Sequence, residues 1–266
     1  MKVTIGQYYP GNSRIHNLDP RVKLLGLVLY IAGLFTVRTF GGYGVMLLFL
    51  ASIIYISKVP IRHLLRGLRA LIFIFVFTSV LNIFFTAGDT VLVEFWRITI
   101  TLEGLMNAGR MVLRLVMLIV GSSILTLTTT PIKLTDAIEY VLSPLKIIKV
   151  PSHEIAMMMS IALRFIPTLM EEVDRIMKAQ MARGADFDTG GIIKKAKSLV
   201  PMLVPLFISA FRRADELAVA MEARCYRGSH GRTKFKVLKL ARRDHLALLV
   251  ILFYSSVVVV LRVFTL

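Results

Sequence analysis

The sequence has little cysteine and lacks the short motifs of common catalytic sites. Its single cysteine, Cys225, can form neither an intramolecular disulfide nor a metal site built from several cysteines. No GxxxxGK[ST] run is present, so we expect the chain to bind no ATP or Mg²⁺ of its own. The histidines show no HExxH or other paired spacing, which disfavours a metal site and a metalloenzyme. They are His16, His63, His153, His230 and His245.

Acidic residues are also few, with 16 Asp and Glu against 33 Lys and Arg, for a formal net charge of +17. A balance this basic can indicate nucleic-acid binding, but no nucleic-acid recognition motif is present, so we expect no such partner. Hydrophobic residues make up 56% of the chain, above the roughly 45–50% of soluble domains. The composition therefore predicts an integral membrane protein, in which excess Lys and Arg concentrate in cytoplasmic loops.

Five apolar runs separated by short charged connections predict about five transmembrane helices, since a helix needs about 20 residues to cross the hydrocarbon core. The beginning of the chain is polar and broken by Gly and Pro, unlike a cleavable signal peptide, so we expect the first span to direct membrane insertion. The charge distribution places the amino terminus and residues 131–244 in the cytoplasm, and the carboxyl terminus outside. The runs lie near 24–37, 41–56, 70–87, 111–130 and 246–264.

Two arginines, Arg110 and Arg114, lie in or just before the fourth predicted span. They are four residues apart and therefore share one helical face. Charges at that depth normally face protein or water. One interpretation is that they snorkel or pair with an acidic neighbour inside the helix bundle. The other is a role in conducting a substrate.

The segment 131–244 is too polar to be membrane and too apolar to be a disordered linker. We predict a domain here, between a membrane part at 1–130 and a last span at 245–266. It begins with a short helix near 132–142. A long helix follows from Ser152, a candidate N-cap with Glu154 in the first turn.

The rest of this domain contains a turn over 185–191 and a second long helix from near Ile192 to about Arg224. Both long helices are amphipathic, with an apolar-leaning stripe opposite a charged face. They also end alike, since AQMARG at 179–184 and AMEARC at 220–225 are offset by 41 positions. The sequence therefore predicts two similar helices, each with a terminal arginine between small residues.

Arg183 and Arg224 can be interpreted in two ways. An arginine in the last turn complements the helix dipole and satisfies free carbonyls, with Gly184 as the cap residue. Alternatively, each arginine extends the apolar stripe and engages a partner protein, where its planar guanidinium binds a carboxylate bidentately. The duplication suits one surface that meets two similar partners.

Three segments together resemble a known family: LTTTPIKLTDAIEYVLSPLK, LRFIPTLMEEVDRIMKAQMARGADFDTGG and VPLFISAFRRADELAVAMEARCYRG. They are similar to the T component of energy-coupling-factor transporters, the cobalt- and vitamin-transporter transmembrane family. The resemblance covers nearly the whole chain and is densest across 105–237. It implies a non-catalytic subunit that joins two ABC-type ATPases, which bind ATP and Mg²⁺, to a separate substrate-binding membrane subunit. The complex would import vitamins or metal ions.

The resemblance also assigns sites. It implies that Ala182-Arg183-Gly184 and Ala223-Arg224-Cys225 dock in grooves of the two ATPases, although Cys225 stands where glycine is commoner. We further expect the apolar helix faces to cover the substrate-binding subunit or the membrane surface. The residues of that expected interface are Met157, Met170, Phe207 and Phe211.

The movement that couples the ATPases to transport would hinge where the long helices cross, near Pro167, Pro201 and Pro205. The same prolines can simply fit the packing. Two other function classes stay open at this point. A self-sufficient permease or channel would contain a substrate site near the bilayer midplane. A membrane-embedded enzyme would need a paired acid–base or metal constellation, which the sequence does not show.

Overall fold

The fold is helical, with one short β-hairpin among the described residues. In the computed structural model these are residues 8–37, 39–86, 88, 90–95, 98–144, 151–185, 191–228 and 240–264. The all-α membrane fold class is confirmed. In chain order the elements are α1 (Pro20–Thr36), α2 (Phe40–Ser57), α3 (Ile61–Arg69), α4 (Ile72–Phe85), β1 (Val91–Phe95), β2 (Ile98–Thr101), α5 (Leu102–Thr128), α6 (Pro131–Leu142), α7 (Ser152–Ala182), α8 (Ile192–Ala223) and α9 (Arg242–Phe264).

The chain divides into two compact units. The first, here called the span unit, comprises Gly6–Ala137 and Leu238–Leu266. The second, the paired-helix unit, comprises Ile138–Val237 and contains α7 and α8. The predicted boundaries at residues 130 and 244 stay a prediction.

Three helices of the described residues, α2, α5 and α9, are long and apolar enough to cross a membrane. The predicted third span, 70–87, contains α4, which meets the preceding α3 at an angle of 57°. The 14 residues of α4 extend only about 21 Å, less than the roughly 30 Å of the hydrocarbon core. With 17 residues, α1 is also short. Three or four spans are thus supported, and the count of five is not confirmed.

The connection between α4 and α5, one of the charged connections between predicted spans, contains the two strands. Strands β1 and β2 pair antiparallel, with Val93 opposite Ile100 and an irregularity in the register between Val91 and Val93. Both strands are rich in β-branched residues, which favour extended backbone. Thr101 ends the hairpin and caps α5, since its hydroxyl accepts the N–H of Gly104 at 3.2 Å.

The beginnings of α1 and α9 are joined through two buried aspartates. Asp19 caps α1, with Pro20 as the first helical residue, and its carboxylate accepts the N–H of Arg21 at 2.9 Å. Asp244 in the first turn of α9 accepts the N–H of Asp19 at 2.8 Å and that of Ala241 at 2.7 Å. A carboxylate at this helix position commonly binds a preceding backbone N–H. The Asp244 side chain therefore fixes the starts of both α1 and α9.

A continuous apolar core connects α1, α2, α5 and α9. The Tyr30 ring lies against Gly121, where an added Cβ would come within 2.6 Å of Cε1. The Tyr30 hydroxyl donates to the Met117 carbonyl at 3.2 Å, which satisfies the polar atom inside the core. Phe49 stacks on Tyr254 with ring centroids 3.8 Å apart. Other fully or nearly fully buried core residues are Leu34, Tyr43, Met46 and Val258.

The arginines of α5 take their partners from inside the span unit. Arg114 donates to the Tyr43 hydroxyl at 2.7 Å and to the Val37 carbonyl at 3.2 Å. Arg110 donates to Asn107 at 2.5 Å and lies over the Phe40 ring. Pairing inside the bundle is thus observed for Arg114, but with a hydroxyl and a carbonyl rather than the acidic neighbour that the sequence suggested.

The segment before α1 folds around a buried histidine. His16 Nε2 donates to the Tyr9 carbonyl at 3.0 Å, because a carbonyl can only accept. Nδ1 therefore accepts the Ser13 hydroxyl at 2.6 Å. Burial lowers the pKa of His16, and the positive charge of Lys23 adds to this effect. The structure thus explains His16 as a neutral, internally bonded residue.

Candidate functional site

The helices α7 and α8 pack in an antiparallel sense. Arg213 of α8 donates to Glu172 of α7 at 2.8 Å. Gln180, further along α7, donates to the carbonyl of Pro201, earlier in α8, at 3.3 Å. The charged faces of the two helices thus contribute a contact between them.

A proline explains why Gln180 binds backbone on the neighbouring helix. Within a helix the carbonyl of Pro201 would accept the N–H of residue 205, but Pro205 has none. The Gln180 side-chain amide supplies the missing donor. The sequence analysis missed this contact, although a proline four residues after a helical carbonyl always signals a free acceptor. The three internal prolines lie within continuous helices, and the hinge stays a hypothesis.

The carboxyl end of α7 is a Schellman motif. Arg183 is the C-cap residue and Gly184 follows in the left-handed region at φ +86°. The N–H of Gly184 binds the Met181 carbonyl at 3.0 Å, and the N–H of Ala185 binds the Gln180 carbonyl at 3.0 Å. Both bonds satisfy carbonyls that the helix leaves free at its end.

The end of α8 has the same geometry one repeat later. Arg224 is the C-cap residue and Cys225 takes the left-handed position at φ +57°. The N–H of Cys225 binds the Glu222 carbonyl at 2.8 Å, and that of Tyr226 binds the Met221 carbonyl at 3.0 Å. The sequence left in doubt whether a glycine-type end could form here. It does, with a side chain in a conformation that costs a non-glycine residue about 1–2 kcal/mol.

At the start of α7 the structure corrects one prediction. The helix begins at Ser152 itself, and Pro151 occupies the N-cap position. The Pro151 carbonyl accepts the N–H of Ile155 at 3.0 Å, so the first helical hydrogen bond already starts one residue before the predicted cap. Glu154 lies in the first turn as expected.

Both cap arginines project from the surface without using the nearby carbonyls. Ala182, Arg183, Gly184 and their counterparts Ala223, Arg224 and Cys225 are all exposed. Neither arginine side chain makes a hydrogen bond or ion pair with a residue that the structure describes. The backbone motif satisfies two of the terminal carbonyls at each helix end. The arginine side chains therefore do not bind terminal carbonyls, as the first of the two interpretations had supposed.

The two arginines lie far apart. Gln180, three positions before Arg183, contacts Pro201. From Pro201 to Arg224 the α8 axis extends about 35 Å, at about 1.5 Å per residue. Two matched and exposed ends therefore lie at opposite ends of the helix pair.

One face of α8 is apolar and exposed. Phe207 is 60% exposed and Phe211 is 68% exposed. Val200, Val204 and Ile208 continue the same stripe with 53–57% exposure. Met157 and Met170 of α7 are half-buried, whereas Met158 is 58% exposed. The predicted phenylalanines thus form part of a larger open surface, and the two predicted methionines contribute less to it.

Comparison with known proteins gives consistent matches. The sequence model of the family described as cobalt transport protein matches residues 11–235. The energy-coupling factor transporter transmembrane protein EcfT of Clostridium kluyveri is 58% identical over 92% of this chain and 91% of its own length. Its counterparts in Thermosediminibacter oceani, at 56% over 91% of each chain, and Ruminiclostridium cellulolyticum, at 55% over 91% and 90%, are similar.

Proposed function

The chain belongs to the cobalt transport protein family, as a transmembrane T component of energy-coupling factor transporters, and from this premise we propose that it couples two cytoplasmic ATPases to a substrate-binding membrane subunit. The complex imports a vitamin or a metal ion. ATP and Mg²⁺ bind the ATPases, and this chain is non-catalytic. The amino terminus and the paired-helix unit lie in the cytoplasm, and the carboxyl terminus lies outside.

The matched ends of α7 and α8 support this proposal most directly. Two similar ATPases need two similar docking elements, and the chain presents one exposed arginine at each end of the helix pair. The backbone motif behind each arginine fixes the position of its Cα and the direction of its Cα–Cβ bond before binding. Preorganisation of this kind lowers the entropy that docking would otherwise cost. Each guanidinium pairs with a carboxylate in a groove of one ATPase.

The exposed stripe of α8 supports the second contact. Phe207 and Phe211 lie on it with more than half of each side chain open to solvent. Monomeric soluble proteins seldom expose a contiguous apolar patch of this extent, so the stripe marks an interaction site. In our proposal the substrate-binding subunit or the membrane surface covers it.

Coupling requires an element with two states that nucleotide favours unequally. The pair α7 and α8 suits that role, because ATP binding changes the separation of the ATPases and thereby acts on both helix ends. The contact of Gln180 with the Pro201 carbonyl replaces a missing helical hydrogen bond. Breaking and reforming the hydrogen bond between Gln180 and the Pro201 carbonyl would let α8 bend near Pro201 at a small cost in free energy.

The test removes the arginines singly and together. Arg183→Ala and Arg224→Ala should each weaken docking by about 2 kcal/mol or more, since each leaves an acidic groove residue unpaired. The double variant should lose assembly, ATP-driven uptake and most ATP hydrolysis. Arg→Lys should restore binding only in part, because the ammonium lacks the planar fork. Complex yield, hydrolysis and uptake are measured on the co-expressed transporter.

A matched control is Arg212→Ala, which removes an exposed arginine from the middle of α8 and should leave all three readouts unchanged. Normal assembly and uptake in the double variant would exclude the docking role. If Arg212→Ala lowered complex yield, hydrolysis and uptake equally, a general effect of positive charge would explain the losses. That result would also contradict the docking role.

A further inference from the structure

A groove in the span unit lies between α1, α2, α5, α9 and the segment that precedes α1. Its volume is about 750 Å³, within the range of about 300–1,000 Å³ of small-molecule sites. From Arg243 to Ile251 its wall follows α9 for about two turns, or about 12 Å. Ile56, Leu246 and Val250 line it and are also exposed, so the groove opens on the outer surface of the helix bundle.

The two ends of the groove differ in chemistry. Along the helices the wall is aliphatic and aromatic, with Tyr30, Phe49 and Ile124 among its residues. At the end where α1 and α9 begin and α5 ends, the wall contains Arg14, Lys23 and Arg243. Among the residues that the structure describes, no Asp or Glu lines the groove.

Two carboxylates, Asp19 and Asp244, act on Lys23 and offset only part of the positive charge of the three cations at this end. Asp244 binds the backbone N–H groups of Asp19 and Ala241. Lys23 donates to the carbonyls of His16 and Thr128, at 3.2 and 3.0 Å, and to a threonine hydroxyl, all of them uncharged. The side chains of Arg14 and Arg243 make no hydrogen bond or ion pair with any residue in the described ranges.

We propose that this groove binds an anionic phospholipid of the bilayer, with an acyl chain along the apolar wall and the phosphate between Arg14 and Arg243. The apolar wall suits an acyl chain, and the cationic end suits the phosphate of the headgroup. The groove also opens on the outer surface of the bundle, where a bilayer lipid can enter. Basic pockets between membrane helices are known to bind anionic headgroups. With α1 starting on the cytoplasmic side, the lipid belongs to the inner leaflet. Lipid binding itself does not depend on the coupling function.

Two small residues, Gly26 and Ser52, line the groove. An added Cβ at Gly26 would come within 2.8 Å of Ile251 Cδ1, so α1 and α9 approach closely beneath the groove. The small Ser52 of α2 lines the groove, and its hydroxyl binds its own helix at the Phe49 carbonyl. Ser256 of α9 is its counterpart outside the groove, exposed and bonded to the Phe253 carbonyl in the same way.

The test uses the purified full chain, stripped of lipid, with native mass spectrometry and thermal unfolding as readouts. Phosphatidylglycerol should bind as one retained molecule and raise the unfolding temperature. Phosphatidylcholine with the same acyl chains should bind at least about tenfold more weakly, as expected from two arginines near the headgroup. Short-chain phosphatidylglycerol and inorganic phosphate should not compete. Equal binding of both long-chain lipids, or competition by phosphate alone, would overturn the proposal.

Paired variants locate the lipid. Arg14→Gln with Arg243→Gln should abolish the preference for phosphatidylglycerol, whereas Arg242→Gln, the neighbouring exposed arginine outside the groove, should preserve it. Ser52→Phe should fill the groove and exclude either lipid, whereas Ser256→Phe should not. Unchanged phosphatidylglycerol preference in Arg14→Gln/Arg243→Gln, or unchanged binding in Ser52→Phe, contradicts the site. The lipid comparison on the wild-type chain decides the question even if a variant fails to fold.

Discussion

The span unit and the paired-helix unit use the same kinds of residue in opposite ways. In the span unit, aromatic side chains such as Tyr30 and Tyr43 are buried, and their hydroxyls are bonded inside the bundle. In the paired-helix unit, Ala156 is the only buried hydrophobic residue among those described, and the phenylalanines of α8 are open to solvent. The span unit has a buried apolar core beneath exposed side chains such as Phe73 and Phe253, whereas the paired-helix unit buries almost none of its apolar side chains among the described residues.

This difference separates the residues that stabilise the fold from the residues that bind partners. A buried aromatic contributes to folding through the area and contacts that it removes from water. An exposed one can contribute the same terms only when a partner covers it. We therefore expect substitutions in the span unit to change unfolding, and those on α8 to change association. The following predictions test that contrast.

The largest effect on unfolding is expected at Asp244. Asp244→Ala removes the acceptor of two backbone N–H groups, those of Asp19 and Ala241. Buried donors left unpaired cost about 1–3 kcal/mol each, so the free energy of unfolding should fall by about 3 kcal/mol. Thermal unfolding of the purified chain measures it. Asp215→Ala, at an exposed position on α8, is the control and should stay within about 0.5 kcal/mol. A similar loss in both variants would contradict the contrast.

The next effect is on association. Phe207→Ala and Phe211→Ala should weaken binding of the substrate-binding subunit by about 2 kcal/mol, as for a large aromatic at the centre of an interface. Unfolding and ATPase binding should barely change, because both rings are exposed in the chain itself.

Phe49→Ala should have the opposite effect to Phe207→Ala and Phe211→Ala, because it should lower stability rather than association. Phe49 is half-buried and stacks on Tyr254 at the edge of the core, so its truncation should cost about 2 kcal/mol of stability, less than for a fully buried phenylalanine. Co-purification of each subunit, together with thermal unfolding, separates the two outcomes. Parallel loss of the ATPases and the substrate-binding subunit in Phe207→Ala would indicate misfolding and disprove the assignment.

The smallest effects distinguish the two helix ends. Gly184→Ala places a Cβ at φ +86°, which should destabilise the end of α7 by about 1 kcal/mol. No atom lies within 4 Å of that Cβ, so the cost is purely conformational. Cys225→Gly should do the reverse and stabilise the end of α8 by about 0.5–1 kcal/mol.

Amide hydrogen exchange measures the local stability of these two helix ends. Protection of Ala185 should fall in Gly184→Ala, and protection of Tyr226 should rise in Cys225→Gly, because these amides close the two motifs. Gly191→Ala is the control, since Gly191 has φ −69° and open space around it. Equal responses at all three positions would show that the left-handed conformation is not the cause.

Local sequence patterns determined the helices and their ends. Apolar periodicity and proline positions predicted α6 as 132–142 and α8 from Ile192 to about Arg224, close to the observed Pro131–Leu142 and Ile192–Ala223. Hydrophobic content alone indicated a membrane protein. The bend between α3 and α4 and the β-hairpin were missed, because both lie in or next to the charged connections that flank the predicted run at 70–87, where no periodicity was analysed.

Contacts between distant segments were decided only by the tertiary structure. No periodicity relates Asp244 to Asp19, which lie 225 positions apart, or Arg114 to Tyr43. Similarly, the repeat around Arg183 and Arg224 was visible in the sequence, but the left-handed backbone of Cys225 was not. Helical patterns arise from neighbours three and four residues apart, so the sequence alone expresses them. Which buried charge meets which backbone group depends on how whole helices pack, and that is a property of the folded chain.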